Sequence, residues 1–174
     1  MNAPDLFPLF LAGVVLFALL RSFLGHGPRK QAAPEKPADV LPPNAILVDG
    51  SNVMHWGGDP SERVLIRVIQ DLRAKGHASI VVFDASVGYR LGSRYLSGAQ
   101  MAQMIGLPAA QVAVVNKGVV ADEVLLDLAQ THSLRIVTND RYRDWRVQFP
   151  VAKEKGTLVQ GTWTEGNVVW RRVF

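Results

Sequence analysis

Between residues 45 and 138 the chain alternates two kinds of apolar pattern, and that alternation leaves few folds open. Residues 45–48, 79–83, 111–115 and 135–138 are short apolar runs, rich in valine and isoleucine, with the length of buried strands. Between them, Val64, Leu65, Val68, Ile69 and Leu72 recur along one helix face until Gly76. Asp59-Pro60-Ser61-Glu62 predicts the start of that helix, with Asp59 as N-cap, Pro60 in the first position and Glu62 three residues after the cap. Residues 100–105 predict a short helix, and Val120, Val124, Leu125, Leu128 and Ala129 mark the face of another. Strands joined by helices run parallel with right-handed crossovers, so the expected class is α/β with a mostly parallel central sheet. Further on, residues 157–163 and 167–173 flank a Thr-Glu-Gly-Asn turn and predict a terminal hairpin or an addition to the sheet edge.

Ahead of this domain, residues 6–20 carry no charge, and the apolar character resumes at 22–24 after Arg21. Residues 6–24 would make about 28 Å of helix, close to the hydrocarbon thickness of a bilayer. A cleaved secretory signal would need a positive amino-terminal region and a small-residue cleavage site, and the run has neither. The expectation is one transmembrane anchor within residues 1–25. Asp5 lies on one flank and Arg21, Arg29, Lys30 and Lys36 on the other, which predicts a single-pass membrane protein with the domain in the cytoplasm. Residues 26–43 hold Pro28, Pro34, Pro37, Pro42 and Pro43 and read as a semi-extended linker, leaving residues 44–174 for the folded domain.

Composition removes several chemistries. With no cysteine among 174 residues there is no disulfide framework, thiol nucleophile, iron–sulfur cluster or cysteine zinc finger. His26, His55, His77 and His132 show no zinc-protease spacing, and there is no GxSxG elbow, P-loop or GxGxxG fingerprint. The net charge of +4 permits a nucleic-acid partner.

Carboxylates recur at one kind of place. Asp49 follows the first strand, Asp84 ends the second, Asp122 opens the helix after the third, and Asp140 follows the fourth with Asp144 four residues on. A single aspartate there is a cap or a turn former. In a parallel sheet, however, the carboxyl ends of the strands share one edge, so these acids would converge where ligands bind. A helical turn at 140–145 would put Asp140 and Asp144 on one face. Crowded acids resist joint ionisation unless a divalent cation neutralises them, and magnesium suits hard oxygen ligands together with phosphate oxygens. The chemistry expected is metal-assisted phosphoester hydrolysis. Haloacid-dehalogenase phosphatases also begin with an Asp after a first strand, but place a second acid where this chain has Ser51.

Three segments, ILVDGSNVMHW (46–56), KGVVADEVLLDLA (117–129) and IVTNDRYRDW (136–145), closely resemble the PIN-like NYN nucleases, especially the ribonuclease domain of Regnase-type CCCH zinc-finger proteins and its bacterial relatives. The likeness covers roughly residues 44–150 and implies a PIN-like three-layer domain. It implies that Asp49 is the central metal-binding acid with Asn52 as its hydrogen-bonding companion. By the same resemblance Asp122, Asp140 and Asp144 complete a set holding Mg²⁺ or Mn²⁺ and positioning the attacking water. Thr138 and Ser51 are supporting hydroxyls on this reading, and Asp84 and Glu123 are further acids beside the site. Where the zinc-finger relatives carry an Asp-Asp pair, this chain has Ala121-Asp122.

Arg141, Tyr142, Arg143, Trp145 and Arg146 interleave cations and rings, while Lys117, Arg90 and Arg94 fall on connections. Such cations hold phosphates beside an acidic pocket, and exposed rings stack on unpaired bases. Ser51, Lys117, Arg141 and Arg143 are therefore the expected substrate contacts, with Trp145 packed and His55 and Trp56 near the groove. The reading as a whole is a membrane-anchored, metal-dependent ribonuclease, endonucleolytic on single-stranded or looped RNA, with no zinc finger to choose its target. Ala121 leaves open a catalytically weak RNA-binding or scaffold module of the same fold, and the same acids would also serve a small-molecule phosphohydrolase.

Overall fold

The computed structural model describes residues 41–171. The anchor expected over residues 1–25, and most of the linker, lie outside the described residues. Among the described residues no helix is long and apolar enough to cross a membrane.

Five parallel strands form the central sheet: β1 (Ala45–Asp49), β2 (Ala78–Phe83), β3 (Val112–Val114), β4 (Ile136–Val137) and β5 (Leu158–Val159), in the order β3-β2-β1-β4-β5. The chain first builds outward from β1 to β3, then returns across the sheet to place β4 on the other side of β1. This reversal leaves a crevice between β1 and β4 at their carboxyl ends.

Helices cover both faces of the sheet. Side chains alternate along a strand, so Ile46, Val48, Val81, Phe83 and Val114 pack on one face against α2 (Glu62–Ala74) and α4 (Gly98–Ile105), through Leu65, Val68, Leu72, Met101 and Ile105. Leu47, Ile80, Val82, Ala113 and Ile136 pack on the other against α5 (Ala121–His132), through Val124, Leu125 and Leu128, together with Phe149 and Val151. The result is the expected three-layer α/β arrangement. Two short helices complete it, α1 (Gly50–Val53) directly after β1 and α3 (Val87–Leu91) after β2.

Several local expectations are corrected. Helix α2 begins at Glu62 with Ser61 as N-cap, not at Asp59, because Ser61 N–H bonds Met54 O at 3.0 Å and holds Ser61 extended. Val120 is the N-cap of α5 and about half exposed, so Ala121 takes the buried position. The tail is both things expected of it. Residues 158–159 add to the sheet edge, and after Gln160 the chain turns into a separate antiparallel hairpin, β6 (Gly161–Thr164) and β7 (Asn167–Trp170). Trp170 clamps that hairpin, meeting Trp56 edge-on at 5.9 Å and donating from Nε1 to Asp71 Oδ2 at 2.6 Å.

Candidate active site

The alternation that builds the core also aims the acids. Leu47, Val82 and Ile136 face α5, so Asp49, Asp84 and Thr138, each two residues further on, leave their strands on that same side. Asp122 lies in the first turn of α5, and the four positions meet at the carboxyl edge.

Asp49 is the centre of the hydrogen bonding. It is 5% exposed and caps α1, its Oδ1 accepting the Asn52 N–H at 3.0 Å. Oδ2 accepts the Thr138 hydroxyl at 3.0 Å and the Tyr142 hydroxyl at 3.1 Å. Burial nevertheless raises its pKa from 3.8 to about 6; the negative charge of Asp122 adds to the rise, and the three hydrogen bonds oppose it. The next residue must be glycine, since a Cβ on Gly50 would overlap the Phe83 ring.

Asp122 is also raised to about 6, first by desolvation and then by the charges of Asp140 and Asp84, against a hydrogen bond with the Trp145 side chain. Asp49, Asp84, Asp122 and Asp140 thus form one electrostatic cluster, with Asp84 a full member. The Tyr142 hydroxyl is pushed well above 10 by burial and by Asp49, and stays a donor at any physiological pH.

The loop after β4 is wound around its own acid. Asp140 N–H donates to Thr138 Oγ1 at 3.0 Å, and Asp140 Oδ1 accepts the Tyr142 N–H at 2.6 Å. This Asx turn sets Tyr142 in the left-handed region (φ 45°) and swings its ring into the core. The helical turn expected over 140–145 is therefore absent; only the 3₁₀ turn Arg143–Trp145 forms. Tyr142, 2% exposed, has no free face for a base, and Trp145 is half-buried against Phe149.

Asn52 couples the loops. Its Oδ1 accepts Trp56 Nε1–H at 3.0 Å and the backbone N–H of Asn139 at 2.9 Å, while Asn139 Nδ2 donates to Gly161 O at 2.9 Å. Trp56 is thereby committed to packing and bonding, not to a groove, and His55 Nδ1 lies 3.2 Å from Gly58 O. Ser51 Oγ accepts the Asp84 N–H at 2.9 Å and ties the ends of β1 and β2. Glu123 Oε1 accepts from Gln148 at 3.4 Å. Lys117, Arg141, Arg143 and Asp144 are exposed on the connections around the edge. Ala121 is 2% exposed within the apolar cluster under α5, so its methyl group belongs to the core beside Asp122.

Sequence reasoning missed Asn139 and the role of Tyr142. Both lie within the NDRYRD segment, but their partners are 87 and 93 residues away.

Among the described residues no three acids or histidines are placed to hold an ion by themselves. The acids share charge instead: two carboxylates raised to about 6 by burial and by neighbouring acids, Asp122 beside Asp49 and Asp140 and Asp84 beside Asp122, are in the state that a cation relieves. Magnesium, which often uses one or two carboxylates and fills its remaining positions with water, fits such a donor set.

The family model of the Zc3h12a-like Ribonuclease NYN domain matches residues 43–169. The chain belongs to this family. The match passes residue 150 and takes in most of the hairpin, so β5, β6 and β7 are part of the NYN domain. Membership makes it a domain of RNA-cleaving nuclease type. Among solved structures, the chain is similar to the nuclear proteinaceous RNase P 2 (PRORP2) from A. thaliana, at 18% identity and a TM-score of 0.61, over 94% of this chain. It spans only 34% of that longer protein, and the likeness is one of fold. No curated protein matches the chain.

Proposed function

We propose that this NYN domain is a metal-dependent ribonuclease held at a membrane by residues 1–25, facing the cytoplasm and cutting single-stranded or looped RNA internally. The observation that carries the nuclease reading is the pairing of Asp49 and Asp122, both raised to about 6, with Asp140 and Asp84 at the crevice between β1 and β4. Asp49, Asp122 and Asp140, joined by Asp144 on the resemblance of its segment, would hold Mg²⁺ or Mn²⁺ partly through the ion's own waters. When bound, the ion would lower the pKa of a water and offset charge on the phosphodiester.

The protein's own groups do the rest. Thr138 and Tyr142 fix Asp49 in one orientation, and their hydroxyls keep its second oxygen hydrogen-bonded as it ionises. Asn52 holds the loop after β4 against α1, so the acids on both sides of the crevice keep their spacing. Lys117, Arg141 and Arg143 would hold the flanking phosphates, drawing a polyanion toward an acidic edge that would otherwise repel it.

The test is the full-length chain in detergent micelles with a mixed-structure RNA, in Mg²⁺, Mn²⁺ or EDTA, beside Asp49→Asn. Internal cleavage that needs the ion and disappears in the variant is the expected result. RNA binding without cleavage under every condition would favour the scaffold reading, for which the buried methyl of Ala121 is the supporting observation. The uncharged run of residues 6–20 supports the anchor and the basic residues after it support the orientation. A carboxyl-terminal reporter recovered on the outer side of the membrane would overturn that orientation.

A further inference from the structure

Five and eleven residues beyond Asp84 the chain presents a tyrosine to solvent. Tyr89 is 60% exposed and Tyr95 50%, although a tyrosine ring ordinarily covers much of itself with protein. Their mounting is rigid. Val87 and Leu96 are buried in the core at either end of the segment, and Val87 N–H bonds Asp84 O at 3.1 Å, so α3 starts on the carbonyl of an acid in the cluster. Gly88 draws the segment into a tight loop: a Cβ there would collide with Arg94 O and lie 2.6 Å from Leu96 N. The backbone of residue 95 is thereby held beside α3, with the exposed Arg90 and Arg94 next to the two tyrosines in sequence. Arg90 Nε leans on Ser86 Oγ at 3.4 Å, which leaves its remaining N–H groups for an anion.

Two open aromatic rings and two guanidiniums match the chemistry of an unpaired nucleic-acid strand, whose bases offer π-faces and whose phosphates offer charge. A duplex keeps its bases stacked on each other and cannot use the rings. We infer that Tyr89 and Tyr95, with Arg90 and Arg94, form a platform on which unpaired bases of RNA stack as the strand approaches the acid cluster. This rests on the ribonuclease reading above and makes the platform the selector of single-stranded substrate. The Asp84 N–H, donating to Ser51 Oγ at 2.9 Å, starts this segment on the same edge as Asp49.

The experiment uses the full-length chain in micelles with EDTA, so that RNA is bound and not cut. The probe is a single-stranded RNA carrying 2-aminopurine, whose fluorescence falls when the base stacks. The expected result is quenching by the wild type, with Tyr89→Leu and Tyr95→Leu each binding about tenfold more weakly and losing the quench, given the usual strength of base–aromatic stacking. Tyr89→Phe and Tyr95→Phe should retain both. Leucine keeps the apolar bulk without a ring face, so a role confined to folding would not separate leucine from phenylalanine in the quench. Wild-type and leucine variants that bind and quench alike would overturn the platform, as would a wild type that binds no single strand. Cleavage in Mg²⁺ is scored in parallel. A ring-dependent quench without cleavage would sink the ribonuclease reading and leave the platform standing; cleavage with a quench indifferent to the rings would do the reverse.

Discussion

The Tyr142 hydroxyl donates to Asp49 Oδ2 at 3.1 Å, sharing that oxygen with the Thr138 hydroxyl at 3.0 Å. The bond favours the ionised carboxylate and so restrains the rise in its pKa. Tyr142→Phe should therefore move Asp49 further above 6 and shift the acid limb of the pH–rate profile upward. The stability cost should be about 1 kcal/mol, the net worth of one hydrogen bond. Side-chain carboxyl titration by NMR, beside the pH–rate profile, checks this; an unmoved Asp49 would show that the hydroxyl does not tune it.

Asp49 burdens the metal-free fold. Its folded pKa of about 6 exceeds 3.8, so the folded state holds the proton more tightly than the unfolded chain. Stability is unaffected well below 3.8, falls as pH rises between the two values, and above about 6 has lost at most about 3 kcal/mol. Asp49→Asn removes the ionisation. In EDTA at pH 8 it should unfold at higher denaturant than the wild type while losing cleavage, and the advantage should shrink steadily toward pH 4. Urea melts across that range are the measurement.

Mg²⁺ or Mn²⁺ should offset that burden in the wild type. An ion that binds only the folded state at a hundred times its Kd adds about 2.7 kcal/mol. The wild type should melt higher in Mg²⁺ than in EDTA, and Asp49→Asn and Asp122→Asn should show little or none of this gain. Equal gains in all three would place the ion elsewhere.

Asn52→Ala would leave the Asn139 N–H and Trp56 Nε1–H without their acceptor. Two donors lost in partly buried positions should cost about 2–4 kcal/mol. Cleavage should fall further than stability accounts for, because the loop carrying Asp140 is no longer held against α1. Activity measured well below the variant's melting temperature separates the two effects.

Much of this molecule was legible before its tertiary structure. Alternating apolar runs and helical repeats imply a parallel α/β sheet, and aspartates just past the strands imply an acidic carboxyl edge, because both rest on local periodicity and on chain direction. Even the common orientation of Asp49 and Asp84 follows from a period of two, counted from Leu47 and Val82. Local pattern says nothing about strand order. That β4 returns beside β1, opening the crevice there, was decided by packing between segments about ninety residues apart. The same holds for Tyr142, whose sequence neighbours suggest a helical turn but whose left-handed backbone and buried ring follow from Asp140 and Asp49 closing on it. Periodicity assigned each side chain a face; only long-range packing decided which faces meet, and thereby which carboxylates repel one another.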